Sequence, residues 1–179
     1  RIQTGPDSYN TLEEFQTIPQ ILHDAGYVCG LSGKWHLGDN LYPQEGFSYW
    51  ITKPHGASSG FYDQEVIEDE KIHKEPTYLT DLWTQHGIKF IKQNQDKPFF
   101  LQYWPLYPLT GPRTAYEEYT TPNGGRYVEK MKLVDQWIGD IMAELETLGI
   151  AEETIVIVMG DNGHFTKYSP QSGYTPMIF

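Results

Sequence analysis

One cysteine in 179 residues leaves no room for an internal disulfide framework or a cysteine-rich zinc site. No stretch approaches the ~20 consecutive apolar residues of a membrane-spanning helix. The opening residues, Arg1 to Asp7, carry no apolar core of the kind a secretory leader needs. Positive charge is scarce: 13 Lys and Arg stand against 24 Asp and Glu, for a formal net charge of -11. That balance argues against nucleic acid and anionic lipid as partners, while leaving a locally basic pocket possible. The Walker A loop and a G-x-G-x-x-G turn after a strand are both missing.

What is present is an ordinary folded composition, with 39% apolar and 21% charged residues. Elements alternate in type along the chain. Thr17, with Pro19 in the first turn and Gln20 three residues on, predicts a capped short helix. Ile18, Ile21, Leu22 and Ala25 would form its apolar face, and Gly26 its left-handed end. Tyr27 to Ser32 reads as a buried strand. The stretch from Asp39 to Pro76 is irregular and rich in Gly, Ser, Pro and Tyr, which predicts long loops over one end of the sheet. Leu79, Leu82, Trp83, Phe90 and Ile91 share one helical stripe between about Thr77 and Asn94. Phe99 to Trp104 follows as an aromatic strand, stopped by Pro105. Tyr127, Met131, Val134, Ile138, Ile141, Leu145 and Leu148 trace the third helix, closed by Gly149. Thr154 to Met159 is an apolar run that suits a strand buried on both faces. Helix and strand in alternation predict an α/β fold with a mainly parallel sheet flanked by helices.

In such sheets, sites form at the carboxyl ends of strands. The first cluster there is Gly33-Lys34-Trp35-His36-Leu37-Gly38. Lys34 and His36, two apart, would share a side in an extended segment and hold an anion between a point charge and an imidazole. A surface loop with a solvated lysine and a packed tryptophan is the alternative. The second cluster is Asp161-Asn162-Gly163-His164. Asp161 and Asn162 offer the hard oxygens that Ca²⁺ or Mg²⁺ requires, although Asp-Asn-Gly is also a common turn. The loop from Pro105 to Pro112 contributes only Tyr107 and Thr110 as hydrogen-bonding groups. Cys29 falls inside a buried strand and reads as structural.

The segment Thr17-Ile-Pro-Gln-Ile-Leu-His-Asp-Ala-Gly-Tyr27, running on to Ser32-Gly-Lys-Trp-His-Leu-Gly38, resembles a signature of the sulfatases, within the alkaline phosphatase superfamily. Gly46-Phe47 through Gly60-Phe61-Tyr62-Asp63 agrees in order and spacing. So do Tyr78 to Asp81, Lys97-Pro-Phe-Phe-Leu101, and Leu148-Gly149 through Asp161-Asn-Gly163. The resemblance implies an alkaline-phosphatase-like catalytic domain, of which residues 1–179 would be a part truncated at both ends. It implies hydrolysis of a small-molecule or glycan sulfate ester at Ca²⁺, with Mg²⁺ the alternative, by a formylglycine nucleophile made in a C/S-x-P-x-R motif. Asp161 and Asn162 would be metal ligands. Lys34 would neutralise sulfate, His36 would hydrogen-bond the formylglycine hydroxyl, and Lys167 would be a second sulfate-binding cation. The same likeness implies a periplasmic, secreted or lysosomal setting. Two departures stand out. Cys29 is followed by Gly30, Leu31, Ser32 and Gly33, not by the nucleophile motif, which is expected upstream of this chain. Leu109 occupies the place where the family usually has a histidine. Three functions follow: a sulfatase portion, a degenerate relative that binds anions without turnover, or a hydrolase of phosphate or phosphonate esters.

Overall fold

The computed structural model describes residues 5–44, 46–55, 61–106, 126–160 and 177–178. Helix α1, Ile18–Asp24, starts where its capping residues dictate. The Thr17 hydroxyl accepts from the Gln20 backbone N–H, and the Gln20 side chain accepts from the Thr17 N–H at 2.7 Å. It ends on Gly26 at φ +91°, with the Gly26 and Tyr27 N–H groups returning to the carbonyls of His23 and Leu22. The buried face differs from the sequence expectation. Pro19 is buried and Leu22 packs against the core, whereas Ile18, Ile21 and Ala25 are exposed. A seven-residue helix has too few turns to bury both sides of its stripe, and the capping geometry turns Pro19 inward.

Strand β1, Val28–Gly33, is buried along nearly its whole length. It pairs in parallel with β2, Tyr49–Thr52, on one side and with β5, Phe99–Trp104, on the other. Beyond β2 the sheet continues antiparallel through β3, Gln64–Glu68, and β4, Lys71–Glu75, giving the order β4-β3-β2-β1-β5. Three of these five strands therefore lie in the stretch from Asp39 to Pro76 that reads as loops in sequence. The β3–β4 hairpin explains part of the miss. Its two-residue turn is Asp69-Glu70, both at positive φ (50° and 61°), the backbone of a type I′ turn without the Asn-Gly or Asp-Gly that normally announces one. β4 is also charged and largely exposed, so it carries no apolar alternation.

The two faces of the sheet are covered differently. Cys29, Leu31 and Trp50 point toward α1 and pack with Trp35, Phe47 and Ile67. On the other face, helix α2, Leu79–Asn94, lays Leu79, Leu82, Trp83, Phe90 and Ile91 against the strands, the stripe read from the sequence. Ser32 Oγ on β1 donates to the Trp83 carbonyl at 2.7 Å, a buried tie from sheet to helix. Helix α3, Arg126–Thr147, packs on α2 through Trp137 and Leu145, with Met131 left exposed. Trp137 Nε1 donates to Asp81 at 2.7 Å. Gly149, at φ +71°, closes α3 as expected.

The apolar run from Thr154 to Met159 does not form the buried strand its composition suggests. Only Val158–Met159 is extended (β6), paired antiparallel with Met177–Ile178 (β7) in a separate two-stranded sheet. Ile155, Ile157 and Met159 are 86%, 56% and 57% exposed. Val156 is the residue of the run that reaches the core beside Leu145.

Candidate functional site

The parallel strands β1, β2 and β5 all point their carboxyl ends the same way, and the cluster from Gly33 to Gly38 leaves from the middle one. Gly33 sits at φ +130°, and a Cβ there would run into the Trp104 carbonyl of β5. Only glycine lets the chain turn away so close to its neighbour. The Lys34 N–H then donates to that same carbonyl at 3.1 Å, which fastens the start of the loop to the sheet.

Trp35 anchors the loop from the other side. It is buried, its indole N–H donates to the Gly38 carbonyl at 2.8 Å, and its ring meets Trp50 and Phe47 edge-on. With Trp35 driven into the core, its neighbours in sequence are turned outward. Lys34 is half-buried and His36 exposed. The two groups feel each other: His36 titrates below its ordinary value, first through partial desolvation and then through the Lys34 charge. A neutral imidazole beside an ammonium can hydrogen-bond an anion from one nitrogen while Lys34 supplies the charge.

Among the sequence-predicted site residues, Lys34 and His36 fall within the described residues, on the one loop that leaves β1. Asp161, Asn162 and Lys167 lie outside the described residues, as do Leu109, Tyr107, Thr110 and His164. Among the described residues, no group of three His, Cys, Asp or Glu side chains could hold a metal ion. Cys29 is fully buried in β1, its thiol 3.5 Å from the Pro19 carbonyl, and burial pushes that thiol up in pKa. It is placed as a packing residue.

Sequence reading missed two residues at this end of the sheet. Lys53, immediately after β2, is only 5% exposed, and burial draws its ammonium down to about 8. Asn40 is fully buried; its Nδ2 donates to the Lys53 carbonyl at 2.9 Å and to the Trp35 carbonyl at 3.4 Å. The available signal was the run Tyr49-Trp-Ile-Thr52, whose β-branched and aromatic residues mark a strand and would have put Lys53 at a carboxyl end.

Comparison with known proteins bears on the whole chain. The family model described as Sulfatase matches residues 4–176. N-acetylgalactosamine-6-sulfatase of Homo sapiens is 30% identical over 181 residues, covering 88% of this chain and 34% of that protein. Arylsulfatase A of Homo sapiens is 26% identical, covering 93% of this chain and 39% of that protein. The chain thus spans about a third of the length of the curated relatives it matches. Among solved structures, the PsFucS1 sulfatase from Pseudoalteromonas sp. superposes with a TM-score of 0.69 at 23% identity, over 90% of this chain and 41% of that one. A protein solved in complex with its substrate D-glucosamine-2-N,6-O-disulfate gives 0.67 at 19% identity, over 88% of this chain and 51% of that one. At these identities the structural likeness establishes the fold.

Proposed function

The chain belongs to the sulfatase family, and from that premise we propose that it supplies the anion-holding side of a sulfuric ester hydrolase. The observation that carries the reading is the loop from Gly33 to Gly38, pinned at the carboxyl end of the central strand with Trp35 in the core and Lys34 within electrostatic reach of His36. Lys34 Nζ offsets the charge on the sulfate oxygens. His36, held mostly neutral, keeps a ring N–H for the reacting oxygens and a free nitrogen that takes up a proton as the ester is cleaved. Lys167 would add a second positive charge for the sulfate.

Asp161 and Asn162 would hold Ca²⁺, or Mg²⁺, because a carboxylate and an amide carbonyl are the hard oxygen donors those ions take. The cation would supply Lewis-acid stabilisation of charge on the sulfuryl group. The formylglycine implied by the family likeness would come from a residue other than Cys29, since that thiol is sealed in β1. The substrate class is a small-molecule or glycan sulfate ester, the setting periplasmic, secreted or lysosomal. None of the described helices is long and apolar enough to cross a membrane.

The test is turnover of an aryl sulfate by the natural protein expressed in full. Lys34→Met and His36→Ala should each lower kcat/KM by 100-fold or more, with aryl phosphate a poor substrate. Wild-type rates in either variant would refute the assignment, and faster phosphate than sulfate hydrolysis would move the protein to the phosphoesterases. Leu109 favours a second reading, binding without turnover, because leucine can neither protonate nor hydrogen-bond a leaving oxygen. Inactivity of the wild type, with activity gained in Leu109→His, would establish it.

A further inference from the structure

A cavity of about 140 Å³ lies on the α1 side of the sheet, beside the loop from Gly33 to Gly38, and the chemistry proposed above makes no use of it. Trp35, Phe47 and Trp104 give it aromatic walls, and Asn10, Gln44 and Gln102 bring side-chain amides to it. The β1–β5 register explains two of these walls. Leu31 pairs with Gln102 and Gly33 with Trp104, so both β5 residues fall on the face that turns Cys29 and Leu31 toward α1. Trp35 and Leu37 of the loop line the cavity, whereas Lys34 and His36 of the same loop do not. No charged side chain is among the described residues that line it.

Gln44 is an independent sign of a guest. It is 4% exposed, and its Nε2 is held by donating to the Asp39 carbonyl at 2.8 Å and the Tyr42 carbonyl at 3.2 Å. Its Oε1 is buried without a hydrogen-bond partner among the described residues. A buried acceptor left unsatisfied is costly, and an O–H or N–H brought by a guest would satisfy it. The size of the space sets the size of the guest. An apolar cavity of about 150 Å³ takes up benzene, so this one admits a single six-membered ring. The lining sets the chemistry. Indole and phenyl surfaces pack against C–H faces, and amides both donate and accept, as hydroxyl groups do. An anion here would lose its hydration and find no counter-charge. A pyranose without sulfate or carboxylate meets all of these conditions, with apolar C–H faces, a rim of hydroxyls and no charge.

We propose that this cavity binds one uncharged sugar ring. Its place in catalysis rests on the sulfatase reading: the ring is the unsulfated neighbour of the one whose sulfate meets Lys34 and His36, which makes the substrate a glycan. The loop divides the work by alternation. Residues 34 and 36 serve the anion, and residues 35 and 37 the neutral ring. Trp104 keeps 45% of its surface exposed, so it can meet a ring arriving from solvent. Gln44 accepts from a ring hydroxyl at the buried side.

The test is titration of the natural protein, expressed in full, with methyl β-D-galactoside, methyl β-D-glucoside and methyl N-acetyl-β-D-glucosaminide, read on the side-chain amide ¹⁵N signals of Gln44 and Gln102. At least one glycoside should shift both signals saturably. Cyclohexanol, a ring of the same size with a single hydroxyl, should bind at least tenfold more weakly. Trp104→Ala should weaken glycoside binding at least fivefold and Gln102→Leu at least threefold. Tyr27→Ala, which removes an exposed aromatic next to the opposite end of β1, should leave it within twofold. Signals unmoved by all three glycosides would overturn the proposal. So would cyclohexanol binding as tightly, or folded Trp104→Ala and Gln102→Leu variants that bind as wild type does. Should the variants fail to fold, the wild-type titrations decide. Aryl sulfate turnover separates the two readings. Turnover with unmoved signals removes the sugar site alone, and shifted signals without turnover keep the sugar site and remove the hydrolase. For a monosaccharide sulfate that is turned over, adding a neutral second ring should lower KM at least fivefold, and an unchanged KM would detach the cavity from the substrate.

Discussion

Replacing Lys53 by methionine should make the protein more stable at neutral pH, and by an amount that depends on pH in a defined way. Methionine keeps the unbranched apolar stem and removes the ammonium. Burial lowers the Lys53 ammonium from its ordinary 10.5 to about 8. A gap of that size corresponds to about 3 kcal/mol against the charged folded form. Below pH 8 both folded and unfolded chains carry the proton, so the wild type bears the whole penalty. Between about 8 and 10.5 the unfolded chain still holds a proton that the folded chain has released. Wild-type stability therefore rises with pH across that window, by about 1.4 kcal/mol per pH unit at most. The advantage of Lys53→Met should be up to about 3 kcal/mol at pH 7 and should fade by pH 10. Urea unfolding of both proteins at pH 7, 8, 9 and 10 gives the difference directly, and every other titrating group cancels because both chains share it. A difference that is flat from pH 7 to 10, or that grows with pH, would show that Lys53 is not desolvated as described.

Three further outcomes follow from the packing. Thr17→Ala removes one half of the capping box on α1 and should lose about 1 kcal/mol in urea unfolding, while Thr17→Ser should lose little. Gly33→Ala forces a side chain onto the Trp104 carbonyl at a left-handed φ; strain alone should lower stability by about 1–3 kcal/mol, and wild-type stability would contradict the geometry. His86 is pushed below its ordinary pKa chiefly by burial, against the opposing pull of Glu68, and bonds the Tyr49 hydroxyl at 2.7 Å. Charging it is disfavoured in the fold, so stability should fall as pH drops below about 6.5. His86→Gln should flatten that acid limb, and an unchanged slope between pH 6.5 and 5 would place the acid sensitivity elsewhere.

Local signals in the sequence were sufficient wherever an element is specified by its own residues. The Thr17 and Gln20 box, the glycines at 26 and 149, and the stripe from Leu79 to Ile91 each carry their instruction within one or two turns of chain. The parallel pairing of β1 with β5 agrees with such elements, because α2 lies between them in the chain, whereas β2 falls in the stretch read as loops. Signals failed where the deciding term is not local. Whether Thr154 to Met159 enters the main sheet depends on what lies beside it, and apolar composition does not report that. The β3–β4 hairpin is fixed by an Asp-Glu turn at positive φ, which propensity disfavours and pairing enforces. At the site, Lys34 and His36 were visible because they share one short segment. Lys53 was not, since the strand it follows, β2, lies in the stretch read as loops.

The charged character of β4 has a consequence for the molecule in a crowded solution. Among the described strands it is outermost on its side of the sheet, with one row of backbone N–H and C=O groups facing away from β3. Such a row invites a strand from another molecule to add on and seed a fibril. Lys71, Ile72, His73 and Lys74 are all exposed along it. A second copy docking there would have to bring its own lysines beside these, and the like charges would drive the two apart. The sparse positive charge of this acidic chain is thus partly spent at the boundary where it keeps neighbouring molecules separate.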